Sequence, residues 1–235
     1  MKILLSGISG HMGREVVKLA QAGYRGSEPV PTAKTFADAE PNVGCIVDFS
    51  HHSLTHELLD FAMAHDLPVV MATTGQTAEE REYIEAASRQ IPIFFAANYS
   101  LGVALLIELV KKTVQVMPEA EIEIVEKHHD RKLDAPSGTA LAIADAIKSV
   151  KENAFTVCGR SGQGKRTKDE IGIHAIRMGN IVGEHEVIVG TPNQTITLKH
   201  EAHSRALFAE GALAAAEFLV CKGPGLYDMG SMISF

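Results

Sequence analysis

A short apolar run, Lys2 to Leu5, breaks at Gly7, and glycine returns at Gly10 and Gly13 before Val16, Val17, Leu19 and Ala20 recur at helical spacing. Strand, glycine turn and helix in that order form the opening unit of a dinucleotide-binding domain. Glycines between a first strand and a first helix let the backbone approach a pyrophosphate held on the helix N-terminus. The spacing is G-x-x-G-x-x-G rather than G-x-G-x-x-G, and a bare glycine triplet discriminates poorly. It is the position of the triplet in the chain that carries the reading.

The alternation continues. Cys45 to Phe49 is an apolar run, a helix follows from about Leu54 to His65, and Leu67 to Met71 is the next strand. Ala78 to Gln90 reads as an amphipathic helix and Ile91 to Ala96 as a further strand. Strands separated by helices of this length predict an α/β fold, a Rossmann-like doubly wound parallel sheet covered on both faces. Ligands of such sheets collect beyond the carboxyl ends of the strands. Gly7 to Gly13, Phe49 to His51, Thr73 to Gly75 and Ala97 to Tyr99 therefore fall on one rim.

The pattern then changes. Leu105 to Val116 is a long helix, and Glu121 to Glu126 alternates strictly, as a half-exposed strand does. After a helix that starts near Pro136 come His174 to Arg177, Glu184 to Val189 and Gln194 to His200, separated by glycine-bearing turns. Such strands predict a second, α+β domain with a mixed or antiparallel sheet. The boundaries expected are 1–97 plus 208–235 for the dinucleotide-binding domain and 98–207 for the second domain, with hinges near Asn98 and Ala206 for closure over ligands. An alanine-rich helix spans Ala206 to Leu219, and the basic, Gly-rich run Gly159 to Arg166 reads as a mobile loop near the site.

Composition narrows the partners. A net charge of −7 argues against a surface built to coat nucleic acid, which needs basic residues to release counterions. Apolar runs such as Gly102 to Val110 are too short to cross a bilayer, and the N-terminus carries no signal-peptide pattern. Cys45, Cys158 and Cys221 are far apart and fit a reducing cytoplasm better than a disulfide framework.

The chemistry concentrates between Glu126 and Ala140, where His128, His129 and Lys132 precede a Pro136-Ser137-Gly138-Thr139 helix start. Imidazoles transfer protons near neutral pH, a lysine holds developing negative charge, and a helix N-terminus accepts a carboxylate. A metal site is disfavoured, because adjacent histidines on an extended segment point in opposite directions and no H-E-x-x-H or cysteine partner accompanies them. His51 and His52 read as rim residues. Ser137 lacks the G-x-S-x-G context of a nucleophile and reads as part of an anion cradle.

Over essentially its whole length the sequence resembles the 4-hydroxy-tetrahydrodipicolinate reductases, also called dihydrodipicolinate reductases, of bacterial lysine and diaminopimelate biosynthesis. The resemblance rests on the glycine fingerprint, Ala72-Thr73-Thr74-Gly75, Phe95 to Gly102, the Glu126 to Ala140 signature, Ile181 to His185, Ser204-Arg205, and Gly225 to Met229. It implies hydride transfer from a reduced nicotinamide cofactor to a cyclic imine carrying two carboxylates, and a homotetramer built through the second domain's sheets. It assigns proton transfer to His128 and Lys132, and substrate contacts to His129, Gly138 and Thr139. Ser137 joins them as part of the anion cradle, and Arg205 is read as a further carboxylate partner because a guanidinium can bind bidentately. Cofactor contacts are expected from Gly7, Ile8, Ser9, Gly10, His11, Met12, Gly13, Lys34, Phe49, Ala72, Thr73, Thr74, Ala96, Ala97, Asn98 and Tyr99. Between Ala22 and Pro41 the chain is shorter than the family's longer members, and Lys34 stands where an acidic ribose partner is otherwise expected, with Asp38 and Glu40 as later alternatives. That lysine predicts NADPH as the cofactor, with NADH as a second donor. Two rival classes fit less well. A semialdehyde dehydrogenase needs a cysteine at a strand end, and a dinucleotide-sensing module has little use for two histidines and a lysine beside an anion cradle.

Overall fold

A computed structural model describes residues 1–30, 36 and 41–233; Lys34, Asp38 and Glu40 lie outside the described residues. The chain divides into two compact units, Met1–Leu101 with Arg205–Phe235, and Gly102–Ser204.

In the first unit, β1 (Lys2–Ser6), β2 (Glu28–Val30), β3 (Cys45–Asp48), β4 (Val69–Met71), β5 (Pro92–Phe95) and β11 (Gly225–Tyr227) form a six-stranded sheet in the order β11-β5-β4-β3-β1-β2. Every pairing in it is parallel. β1 lies between β2 and β3, so strand order reverses at β1 and the chain leaves it in opposite directions on either side. This is the switch point at which nucleotides bind doubly wound sheets. The strands are apolar on both faces, as a doubly covered sheet requires: Ile3, Leu4 and Leu5 are all 2% exposed or less. Leu4, Ile46, Val69, Met71 and Ile93 pack with Leu58, Leu59 and Ala62 of α2 (Thr55–Ala64) and Ile84 and Ala87 of α3 (Ala78–Ala87). Thr77 and Glu80 start α3 with a reciprocal capping box. The helices α1 (His11–Gln21) and α6 (Ala206–Leu219) pack against each other, and α6 packs on β3, β4 and β5. Gly211 lets α6 approach so closely that a Cβ there would overlap the Tyr99 carbonyl.

In the second unit, β6 (Glu121–His128), β7 (Phe155–Cys158), β8 (Glu170–Arg177), β9 (Gly183–Thr191) and β10 (Gln194–Ala202) form a sheet in the order β10-β9-β6-β8-β7. It is mixed: β6 pairs parallel with β8 and antiparallel with β9. Ile122, Ile124, Ile171, Ile173, Val187 and Val189 line one face and pack under Leu106, Val110 and Val114 of α4 (Leu101–Val116) and Ile143, Ala144 and Ile147 of α5 (Gly138–Lys148).

Several boundaries differ from the sequence reading. α4 begins at Leu101, not Leu105, and β8 begins at Glu170, not His174. The strands β7 and β11 were not expected at all; both are short edge strands whose pairing is set by a neighbour rather than by their own pattern. The Gly159 to Arg166 loop, read as mobile from its composition, is held by ion pairs and hydrogen bonds of its arginines. Arg166 ion-pairs with Glu123 and bonds the carbonyls of Ile122 and Glu170, and Arg160 pairs with Glu170. These contacts tie Arg166 to the start of β6.

Candidate active site

Strand alternation builds the centre of the site. Glu126 and His128 share a face of β6 with Ile122 and Ile124, so both side chains turn into the core at the strand's carboxyl end. The register places Arg177 of β8 beside His128 and His185 of β9 beside Glu126. Glu126 is fully buried. Its carboxylate accepts from Arg177 Nη1 and Nη2 at 2.8 and 2.7 Å, from His128 Nδ1 at 2.6 Å and from the Ser137 backbone N–H at 3.0 Å. Burial pushes this carboxyl up, but the bonds from Arg177, His128 and Ser137 outweigh it and hold it below the usual carboxylate range. His185 stands edge-on to His128 with ring centroids 5.2 Å apart. Burial, aided by the nearby His128, lowers its pKa to about 4, so His185 is neutral near pH 7.

The N-terminus of α5 is the second component. Ser137 is its N-cap; the hydroxyl accepts from the Ala140 N–H at 3.2 Å and lies 3.1 Å from His185 Nε2. The Ser137 side chain is thus buried inside the cap. Gly138 is exposed and Thr139 partly so, at the first turn of α5, and the positive end of a helix favours an anion there. Lys132 Nζ lies 2.8 Å from Asp134 Oδ1, and that bond is the main cause of Asp134's lowered pKa, with the Gly138 N–H contributing. A carboxylate therefore already sits between the ammonium and the helix start. His129 follows the end of β6, partly buried.

In the first unit, the turn Gly7–Gly10 leads into α1. Gly7 has φ +79°, and a Cβ on it would overlap the Phe49 carbonyl. A Cβ on Gly13 would overlap the Gly7 carbonyl and lie 2.8 Å from Ile8 Cα. Gly7 and Gly13 are thus required by close backbone approach inside the turn. Ile8, Ser9, Gly10 and His11 are exposed and Met12 partly so. An exposed backbone turn on a helix N-terminus suits the diphosphate of a dinucleotide. Across the strand ends, Asp48 is buried; it accepts from the Ser50 N–H and hydroxyl at 3.2 and 2.6 Å and from the Thr73 hydroxyl at 2.6 Å. This carboxylate ties the loop after Phe49 to the Ala72-Thr73-Thr74 loop. Ala96, Ala97 and Asn98 follow β5, and Asn98 Oδ1 accepts from the Ser100 N–H. Tyr99 is buried, its hydroxyl 2.8 Å from the Met71 carbonyl, and burial raises its pKa well above the usual value. His52 Nδ1 lies 3.0 Å from the Glu80 carboxylate, and the His51 ring packs against it.

The structure thus gathers His128, Lys132, Ser137, Gly138 and Thr139 in one unit and the glycine turn, Phe49, Thr73 and Ala96 to Tyr99 in the other. Arg205 is exposed at the N-cap of α6, in the first unit. Sequence reasoning assigned no role to Glu126, Arg177, His185 or Asp48. A signal existed for Glu126: a carboxylate in phase with Ile122 and Ile124 must be buried, and a buried carboxylate needs cationic or N–H partners.

A doubly wound sheet with a glycine turn at its switch point, joined to a unit carrying an imidazole and a lysine beside a helix cap, defines a nicotinamide-dependent oxidoreductase. Residues 1–99 match the family model "Dihydrodipicolinate reductase, N-terminus", and 102–233 match "Dihydrodipicolinate reductase, C-terminus". The chain belongs to the dihydrodipicolinate reductase family. It is 44% identical to the 4-hydroxy-tetrahydrodipicolinate reductase of Caldanaerobacter subterraneus, covering 99% of this chain and 98% of the relative. To that of Alkaliphilus metalliredigens it is 43% identical, covering 99% of both. A dipicolinate-bound dihydrodipicolinate reductase from a Paenisporosarcina species shares the fold with TM-score 0.81 at 21% identity, over 100% of this chain and 99% of that one. A probable dehydrogenase from Thermotoga maritima shares it more distantly, with TM-score 0.62 at 9% identity over 99% and 93%.

Proposed function

We propose that the chain reduces 4-hydroxy-tetrahydrodipicolinate to tetrahydrodipicolinate with a reduced nicotinamide nucleotide, NADPH before NADH, in lysine and diaminopimelate biosynthesis. The observation that carries this reading is His128, held by the buried Glu126 carboxylate in the same unit as Lys132 and the solvent-exposed first turn of α5. The family's name, and relatives of that name above 40% identity along the full length, support the substrate.

The nucleotide supplies the hydride when bound, and the turn from Gly7 to Gly13, Phe49, Ala72 to Thr74 and Ala96 to Tyr99 are the residues to hold it. Gly138 and Thr139 bind one substrate carboxylate through their N–H groups, with His129 beside them and Arg205 as a partner for the other. That carboxylate takes the place of Asp134, which pairs with Lys132 and accepts from the Gly138 N–H in the free protein. His128 moves a proton at Nε2, and Lys132 stabilises negative charge as the ring is reduced or donates a second proton. Assembly as a homotetramer through the second sheet is part of the proposal, supported by the strand face opposite α4 and α5, on which no helix packs among the described residues of that unit. A cytoplasmic setting fits three unpaired cysteines.

The experiment is steady-state kinetics of His128→Gln and Lys132→Ala. Each is expected to lower kcat by about 10²-fold or more while leaving nucleotide affinity intact, the scale of a lost acid–base or charge-stabilising group. Wild-type turnover in either variant removes that residue from the mechanism.

A further inference from the structure

We propose that Glu126 is a positioning residue for proton transfer: its carboxylate fixes His128 in the tautomer with hydrogen on Nδ1, leaving Nε2 as the atom that gives and takes the proton. The inference rests on His128 being the proton carrier and adds what makes it one.

Four observations support it. First, a carboxylate is an acceptor only, so the 2.6 Å contact between Glu126 Oε2 and His128 Nδ1 requires the proton on Nδ1. The paired Arg177, bonded to both oxygens, keeps that carboxylate ionised within the core. Second, space is kept at the other nitrogen. A Cβ on Gly183, on the adjoining strand, would lie 3.1 Å from His128 Nε2, so glycine is what leaves that atom clear of the sheet. Third, the neighbouring imidazole is spoken for: His185 Nε2 lies 3.1 Å from the Ser137 hydroxyl, whose oxygen already accepts from the Ala140 N–H. His185 Nε2 is thus engaged by the Ser137 hydroxyl and not by His128. Fourth, the same carboxylate accepts from the Ser137 N–H at 3.0 Å. One side chain therefore sets both the orientation of His128 and the start of α5, the two parts whose spacing must match proton acceptor and carboxylate on a single small ring.

An imidazolium gives its Nε2 proton to the reduced substrate, the N–H bond electrons stay on the ring, and the neutral product retains hydrogen on Nδ1, still bonded to Glu126. With a neutral amide in place of the carboxylate, the –NH2 group faces Nδ1 and favours the opposite tautomer, with hydrogen already on Nε2.

The test combines spectroscopy and kinetics on the full-length protein. Long-range proton–nitrogen correlation of isotope-labelled imidazoles, at a pH where histidines are neutral, reads the tautomer of each ring, and the His128→Gln spectrum identifies which signals belong to His128. Wild type is expected to show hydrogen on Nδ1 of His128, and hydrogen on Nε2 overturns the inference without any variant having to fold. Glu126→Gln is expected to show the Nε2–H pattern and a kcat lower by about 10²-fold or more, with pyridine-2,6-dicarboxylate and NADPH affinities unchanged. A loss of dicarboxylate affinity in proportion to kcat marks Glu126 as merely structural and overturns the proposal. Full turnover in Glu126→Gln with an inactive His128→Gln refutes the positioning role alone, whereas full turnover in His128→Gln refutes the underlying assignment.

Discussion

Replacing Arg177 by Met isolates the cost of a buried carboxylate. Arg177 supplies two of the four hydrogen bonds to Glu126, and Glu126 has no exposed surface through which water can take their place. Removing one partner of a buried pair costs about 3–5 kcal/mol. Here His128 and the Ser137 N–H remain, so the lower end applies, about 3 kcal/mol. For a chain of this length each kcal/mol moves Tm by about 2–4 °C, which makes the shift about 6–12 °C. Arg131→Met is the control: Arg131 also contacts a carboxylate, Asp130, at 2.9 Å, but the side chains are 65% and 61% exposed, so the loss is below about 1 kcal/mol. Calorimetric melting at neutral pH compares the two. The pH dependence has a fixed sign. Because the folded Glu126 carboxyl lies below its ordinary value, its stabilisation is present above the unfolded carboxylate's pKa and is lost as pH falls through the folded one. The gap between wild type and Arg177→Met should therefore narrow in acid. Equal melting temperatures for Arg177→Met and Arg131→Met at neutral pH would refute the reasoning.

His185 titrates in a different window. Its pKa is lowered from 6.5 to about 4, so the unfolded chain binds the proton first, and stability should fall as pH drops between those values, by up to about 3 kcal/mol. Urea unfolding across that range should show the slope, and His185→Gln should flatten it; an unchanged slope in the variant contradicts the assignment. Gly13→Ala places a methyl group against the Gly7 carbonyl and should cost about 1–3 kcal/mol, as overpacking does. NADPH affinity, measured by titration, should weaken with it, and wild-type affinity would show that the turn is not where the diphosphate binds. The lysine at position 34 predicts a higher kcat/KM for NADPH than for NADH, and a clear NADH preference contradicts it.

Much of this architecture is local and was legible in the sequence. The β1, glycine turn and α1 order follows from an apolar run, three glycines and a helical repeat within the first two dozen residues, and the strict alternation of β6 gave both the strand and its buried face. What was not legible depends on partners distant in the chain. Glu126 and Arg177 are separated by 51 positions and meet only because β6 and β8 pair in parallel. The basic loop reads as mobile because two of its anchors, Glu123 and the Ile122 carbonyl, lie on a strand far earlier in the sequence. Likewise Asp48 looked like an ordinary strand residue until Thr73 and Ser50 came to it. His185 lay in a stretch that carried the family resemblance, yet nothing in its spacing pointed to the Ser137 hydroxyl.

The most direct measurement is oxidation of NADPH, followed by absorbance, in the presence of the condensation product of aspartate semialdehyde and pyruvate, with wild type and His128→Gln assayed side by side. Oxidation that requires the condensation product and nearly disappears in the variant is the expected result. Oxidation that proceeds equally without the product, or a variant as fast as wild type, would contradict a reductase whose proton passes through His128.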